Sequence, residues 1–430
     1  MIRMNRVAPV LCLLSLTLLA TSLRAQPADD VSPLLDAKTL LVARIDIDRF
    51  DLKGLQPWLR ERMLKAGVPQ DDVDGAGAAI GFIEAAFGDI KAKLAAAGVK
   101  RVYLVGTSDG LFGADGPPVF AAIRADEAAA AKIAEAIGIP DPDRRGRIGA
   151  FAVFGEPKLI AAAKAIQPAP RADLTAPLAA AGDASVVTVF SPDETARKSV
   201  EELSPTLPAE LGGGPVTALT RGLKHATLAL TTPPQFRLDV TVQAADAGGA
   251  AKLLQIVDKI LAMAAKEEPA AADGLKLLRP TLAGDRLTLS MDTPAADRLF
   301  AALKPALEKA RATAKATQSA SNLRQIGMAV MMYANDNQGA LPANFAALTP
   351  NYLPTDEVFA NPRDPARGKQ AYVYVKPAEA KLNDVKDASQ RVLAYEAHDA
   401  FPPLGVNVLF LDGHCELIAD EAAFKQLLGK

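Results

Sequence analysis

The sequence predicts an α+β fold in three parts: two ferredoxin-like α/β repeats, then a long helix packed on a small antiparallel sheet. Three observations carry this. Residues 38–166 and 183–304 present the same order of strands and helices twice. The strands alternate apolar and polar side chains with period two, and the helices carry apolar stripes at helical spacing. From about Ala306 the pattern changes to one long helix followed by four short strands.

The first segment, residues 1–25, reads as a secretory signal peptide. Arg3 and Arg6 precede an apolar run from Val7 to Ala20, and Thr21, Ser22 and Ala25 supply small residues before the polar stretch from Gln26 to Asp30. The run is too short for a comfortable membrane-spanning helix, which needs about 20 residues. Cleavage is expected after Ala25, with an uncleaved anchor as the alternative. Cys12 lies in the apolar run without a small residue before it, which argues against lipid modification. The whole chain carries 48 basic and 50 acidic residues, a net charge of −2. Removing Arg3, Arg6 and Arg24 leaves 45 − 50 = −5. A mildly acidic exported protein has no electrostatic reason to bind nucleic acid. Cleavage also leaves Cys415 as the single cysteine, so no intrachain disulfide is expected and apolar cores must supply the stability. Aromatic residues make up only 5%, which favours alanine-rich helix packing over aromatic-lined grooves.

The first repeat (30–166) opens with a strand at Leu40–Asp46, then helices at 52–64 and 78–97. Strands follow at 101–105 and 119–124, a helix at 126–137, a hairpin-like pair ending in 150–154, and a helix starting at Pro157. The second (183–304) offers a strand at 185–190, a helix at 193–203, strands at 224–230 and 235–243, and a helix at 247–266. A pair ending in 286–291 and a helix over 294–303 complete it. Proline opens both final helices, where its missing N–H costs little. In the strand 235–243, Phe236, Leu238, Val240 and Val242 face one side, and Arg237, Asp239, Thr241 and Gln243 the other. Strand–helix–strand–strand–helix–strand is the ferredoxin-like order, with helices expected on one face of each sheet. Residues 167–182 read as the separator between the repeats. Arg44, Asp46 and Asp48 read as a solvated strand face.

In the region 306–430, Leu307, Ala310, Ala314, Leu323, Ile326, Val330 and Ala334 set one helix starting after Pro305. The cluster Asn335, Asp336, Asn337, Gln338 and Gly339 tolerates left-handed backbone and predicts its end. Strands are expected at 371–375, 391–395, 406–411 and 414–418, with Asp412-Gly413 as a two-residue hairpin. Four motifs stand here: Asn322-Leu-Arg-Gln-Ile-Gly327 with Tyr333-Ala-Asn-Asp-Asn-x-Gly339, Leu348-x-x-x-Tyr352-Leu353, Pro362-x-Asp364-Pro365, and Asn407-Val-Leu-Phe-x-Asp-Gly-His414. Together they resemble pseudopilin-like domains, including those of type II secretion G-type proteins and the secreted pseudopilin family of planctomycete type. The resemblance implies a helix on a small antiparallel sheet and a protein-contact role in an envelope assembly. The chain departs from that family in three places. No processing site and apolar half-helix directly precede Ala306. Ser319 and Asn361 stand where many relatives carry cysteines. Pro402 stands near the position of a histidine.

Candidate chemistry is sparse. Glu396, His398, Asp412, His414, Cys415 and Glu416 form a metal-like cluster, although on a strand His414 and Glu416 point away from Cys415. A divalent metal at Glu396, His398, Asp412, His414 and Glu416 is weighed against a hairpin with polar edge residues. Asn335, Asp336, Asn337 and Gly339 resemble part of a calcium loop without its later bidentate Glu, and a helix end explains them. Gly75, Gly77 and Gly81 lack the strand, spacing and lysine of a phosphate loop. Met328, Met331 and Met332 read as core filler, and His225 as a lone strand residue. No nucleophile elbow or zinc-protease helix motif occurs. No catalytic residue and no cofactor is expected. The reading is a non-enzymatic exported protein of the periplasm or cell envelope, contacting envelope proteins beside a secretion or pilus-like apparatus. The alternative is a periplasmic metal- or ligand-binding protein using Glu396–Glu416.

Overall fold

Each strand of the first repeat finds its sequence neighbour. In the computed structural model, which describes residues 30–108, 119–377 and 381–429, this repeat contains β1 (Thr39–Asp46), α1 (Leu55–Lys65), α2 (Gln70–Ala96), β2 (Arg101–Thr107) and β3 (Val119–Arg124). It continues with α3 (Glu127–Ala136), β4 (Arg145–Ile148), β5 (Phe151–Phe154), α4 (Pro157–Lys164) and α5 (Ala172–Ala180). The second contains β6 (Val186–Phe190), α6 (Glu194–Leu203), β7 (Leu223–Thr231), β8 (Arg237–Ala244), α7 (Ala247–Glu267), β9 (Thr281–Ala283) and β10 (Arg286–Asp292), and α8 (Thr293–Asp336) follows. The expected signal segment 1–25, with Cys12, lies outside the described residues.

The duplication is visible in the sheet. Ten strands run β4-β5-β3-β2-β1-β6-β7-β8-β10-β9. Read outward from the β1–β6 pair, both halves give the same order: first, second, third, fifth, fourth. Equivalent N-caps accompany it. Asp126 accepts Ala129 N–H at 2.8 Å to start α3, and Asp246 accepts Gly249 N–H at 2.7 Å to start α7.

The ferredoxin-like arrangement is not what these elements build. That fold needs a split βαβ unit, with another strand between its first two. Here β1 bonds β2 directly, Val42 facing Val105, and every pairing is antiparallel. Element order leaves open whether a helical connection crosses over or returns beside its own strand, and α1–α2 return. The repeats also share one sheet through β1–β6, where Val42 faces Val189.

Helices cover both faces of the first repeat, not one. Tyr103 and Val105 pack with Ile160 of α4 and with Leu174 and Leu178 of α5. Their strand neighbour Val102 packs instead with Leu94 of α2 and with Ile133 and Ala134 of α3. The segment 167–182 is therefore no passive separator, since α5 within it completes a core. This also buries Arg44, which is 5% exposed and not solvated. Its guanidinium donates to the carbonyls of Leu178 at 3.4 Å, Gly182 at 2.5 Å and Ala184 at 3.1 Å, a cation at the C-terminal end of α5.

The described chain divides into two compact units at Pro305/Ala306. Helix α8 runs through that boundary without a break, with Pro305 inside it. The separate helices expected on either side of the proline are one. Proline removes a single N–H donor, and the alanine, leucine, lysine and glutamate around it are strong helix formers.

The second unit holds the remainder of α8, a sheet in the order β11 (Tyr372–Tyr374), β12 (Val392–Glu396), β13 (Val406–Phe410) and β14 (Cys415–Ile418), and α9 (Glu421–Leu427). Leu323, Ile326, Ala329, Val330 and Ala334 form one helix face, packed with Leu393, Leu409 and Leu411. Gly327 lets the helix lie close to β13: a Cβ there would stand 3.1 Å from Leu409 Cδ1, and that side chain would have to shift by a few tenths of an ångström. The helix ends as the sequence predicts: Gln338 and Gly339 take φ of 55° and 86°, and Gly339 N–H returns to Ala334 O at 2.7 Å. The last hairpin encloses Leu411, Asp412 and Gly413 between Phe410 and His414, one residue more than expected, with Gly413 at φ 90°.

Candidate functional site

The polar side chains that the sequence singles out between Glu396 and Glu416 fall into two separate groups. Glu396 ends β12 and its side chain is fully buried. Its Oε2 accepts from Arg363 Nη1 at 2.5 Å and from Asn407 N–H at 2.8 Å, and its Oε1 from Asn407 Nδ2 at 3.1 Å. His398 Nε2 stands 3.4 Å from Oε2. Arg363 also donates to Gly405 O at 2.8 Å, and Asn361 Oδ1 accepts the Arg363 N–H at 2.9 Å. Asn407 Nδ2 donates further to Ala316 O of α8 at 2.8 Å. One buried network thus ties the Pro362-x-Asp364 loop, β12, β13 and the helix together. Burial by itself would raise the Glu396 carboxyl. The hydrogen bonds of His398 and Ser319, the Asn407 amide and the Arg363 charge outweigh it and hold Glu396 below the ordinary carboxylate value. Glu396 is an anion whose lone pairs are already taken.

Asp412 and His414 form the second group. His414 Nδ1 lies 2.6 Å from Asp412 Oδ1, and its ring stacks on Phe410 at 4.3 Å. Both belong to the exposed hairpin. Cys415 turns to the core, and burial pushes its thiol up to about 11. Glu416 is exposed. Among the described residues, no three His, Cys, Asp or Glu side chains gather as metal ligands. The proposed divalent site of Glu396, His398, Asp412, His414 and Glu416 is therefore not assembled. The physical reason is that Asp412, His414 and Glu416 are exposed on the last hairpin and β14, whereas Glu396 is buried and paired with Arg363.

Other motifs resolve similarly. Asn337 Nδ2 caps Tyr333 O at 2.8 Å, so this residue serves the helix end rather than a calcium loop. Gly75, Gly77 and Gly81 lie inside α2. Ser319, at a family cysteine position, is fully buried and shares a hydrogen bond of 3.0 Å with Tyr372 Oη. Met328 and Met332 are not core filler: they are 60% and 55% exposed, side by side at i and i+4 on the face of α8 away from the sheet. The heptad-like spacing of apolar residues hid this, because Leu323, Ile326 and Val330 already fill the buried stripe. Sequence reasoning missed Arg363 and Asn407. A signal for Asn407 was present, since an amide inside the apolar run Val406–Leu411 must find partners when buried.

No known protein family, curated protein or solved structure matches the chain. Among the described residues, no helix is long and apolar enough to cross a membrane.

Proposed function

We propose that this is an exported, non-enzymatic cell-envelope protein whose second unit makes protein–protein contact beside a secretion or pilus-like apparatus, in the manner of pseudopilin-like domains. The observation that carries the reading is the outer face of α8. There Met328 and Met332 stand exposed on the helix that bears the Asn322–Gly327 motif. Methionine suits a contact surface, being apolar and adaptable in shape. The Glu396–Arg363–Asn407 network, together with Leu323 and Ile326 beneath, holds that helix on its sheet, so the face is pre-formed.

The test is site-specific photo-crosslinking in the native cells from positions 328 and 332, with position 416 on β14 as the comparison. Envelope secretion or pilus components captured from the helix and not from position 416 support the proposal. Equal, diffuse capture from both, or none, refutes it.

A further inference from the structure

A cleft of about 560 Å³ opens at one end of the ten-stranded sheet, where the chain leaves β6 and enters β7. This volume is in the range of small-molecule sites. Acidic and basic side chains both line it, and they differ in how far their partners are already supplied. The three carboxylates on its wall are committed. Asp173 takes Arg171 Nε at 3.0 Å and Nη2 at 2.7 Å. Asp193 accepts Ser108 Oγ at 2.8 Å and caps α6 at Ala196 N–H, 2.7 Å. Glu194 holds both terminal nitrogens of Arg221, at 2.5 and 3.0 Å. Arg171 is used up as well, on Asp173 and on the carbonyls of Asp36, Thr39 and Ser191.

Three basic side chains remain uncommitted. Arg197 donates Nε to Pro192 O at 3.1 Å, while its two terminal nitrogens have no hydrogen-bond acceptor among the described residues. Lys224 Nζ and the His225 ring have none either. Glu194, Glu201 and Asp193 act on the Arg197 charge from nearby, but their oxygens are bonded to Arg221, Thr220, Ser108 and the start of α6. The cleft therefore sets three basic side chains with free donors beside carboxylates that already hold hydrogen-bond partners.

The backbone is shaped to bring them together. Leu223 faces Ala244 and His225 faces Gln243, so Lys224 is the extra residue of a β-bulge. Neighbours on a regular strand point to opposite faces. The bulge re-aims them, and both Lys224 and His225 line the cleft. Ser191 Oγ donates to the Lys224 carbonyl at 3.0 Å and fixes the bulge.

We propose that this cleft binds a small acidic metabolite through a phosphate or carboxylate oxyanion, held by Arg197, Lys224 and His225. Donors of this kind make the strong, charge-assisted hydrogen bonds that oxyanions accept. The site lies in the first unit and is independent of the contact role of the second. Burial holds His225 below the ordinary imidazole value; Asp173 opposes this, and Arg286 and Lys224 add to it. A bound oxyanion supplies negative charge and draws a proton onto the ring.

The chain has three histidines, so imidazole NMR signals of the full protein resolve the site. The protein is titrated with potassium phosphate, with potassium succinate, and with potassium chloride at matched ionic strength. The expected result is a saturable shift of His225 with phosphate, succinate or both, and none with chloride, while His398 and His414 stay in place. The anion that saturates at lower concentration identifies the oxyanion. Arg197→Gln, and separately Lys224→Gln at an exposed position, are each expected to weaken binding about tenfold. Trp58 fluorescence confirms that the first unit stays folded in both. Shifts that rise linearly, that chloride reproduces, or that survive both substitutions unchanged overturn the proposal.

Discussion

Replacing Arg363 by alanine tests whether the buried network holds the second unit together. The Glu396 side chain is fully buried and that of Arg363 is 8% exposed, so water cannot replace the lost partner. Breaking a buried ion pair by removing one partner costs about 3–5 kcal/mol. Glu396 retains both Asn407 donors, at 2.8 and 3.1 Å, so we predict the lower end, about 3 kcal/mol. The chain supplies its own reporters. Its one tryptophan, Trp58, lies in the first unit, whereas all its tyrosines except Tyr103 lie in the second. In urea denaturation, the near-UV tyrosine transition should move by about 3 kcal/mol and Trp58 fluorescence should not follow. A second arm uses pH. The folded carboxyl of Glu396 sits below its unfolded value, so its contribution to stability is present above about pH 4.3 and is lost as pH falls through the folded value. Glu396→Gln should remove that share of the acid dependence. A change under about 1 kcal/mol in the alanine variant, or an unaltered acid limb in the glutamine variant, would refute the reasoning.

The remaining predictions concern packing and reactivity. Gly405 and Gly413 share a left-handed φ, of 88° and 90°, but a Cβ on Gly405 would lie 2.2 Å from Ile418 O and one on Gly413 meets nothing. We predict that Gly405→Ala destabilises the second unit by about 3 kcal/mol and Gly413→Ala by about 1, read from the same tyrosine transition; equal losses would count against the steric argument. Leu323→Ala should cost about 3 kcal/mol and Met328→Ala less than about 0.5, because the first is fully buried and the second 60% exposed. A large loss from the methionine would instead place it in the core. With its thiol pushed up to about 11, Cys415 in a Cys12→Ser background should react with a thiol reagent at pH 8 about a hundredfold more slowly folded than in urea. Equal rates would mean that the sulfur is open to solvent.

Much of the secondary structure is local and was legible. β3 occupies the predicted 119–124, and the helix at 193–203 is present as Asp193 followed by α6. The end of α8 at Asp336 follows from residues that accept positive φ. Such features depend on neighbours within a few residues, which a sequence displays directly. The candidate site was less legible. Glu396, Asn407 and Arg363 are far apart in sequence, and Arg363 stands at the unspecified position of its motif. What pairs Glu396 with Arg363 is thus a contact that no spacing rule contains.

The duplicated order of elements, their periods and the turn residues that end them are written in the chain, because alternation, stripes and caps are properties of short segments. That the two repeats share one antiparallel sheet, that α5 buries Arg44, that α8 passes unbroken through Pro305, and that Met328 and Met332 face outward emerges from packing alone. Each of these turns on which distant surface covers a given face, and burial is a property of the packed chain rather than of any residue in it.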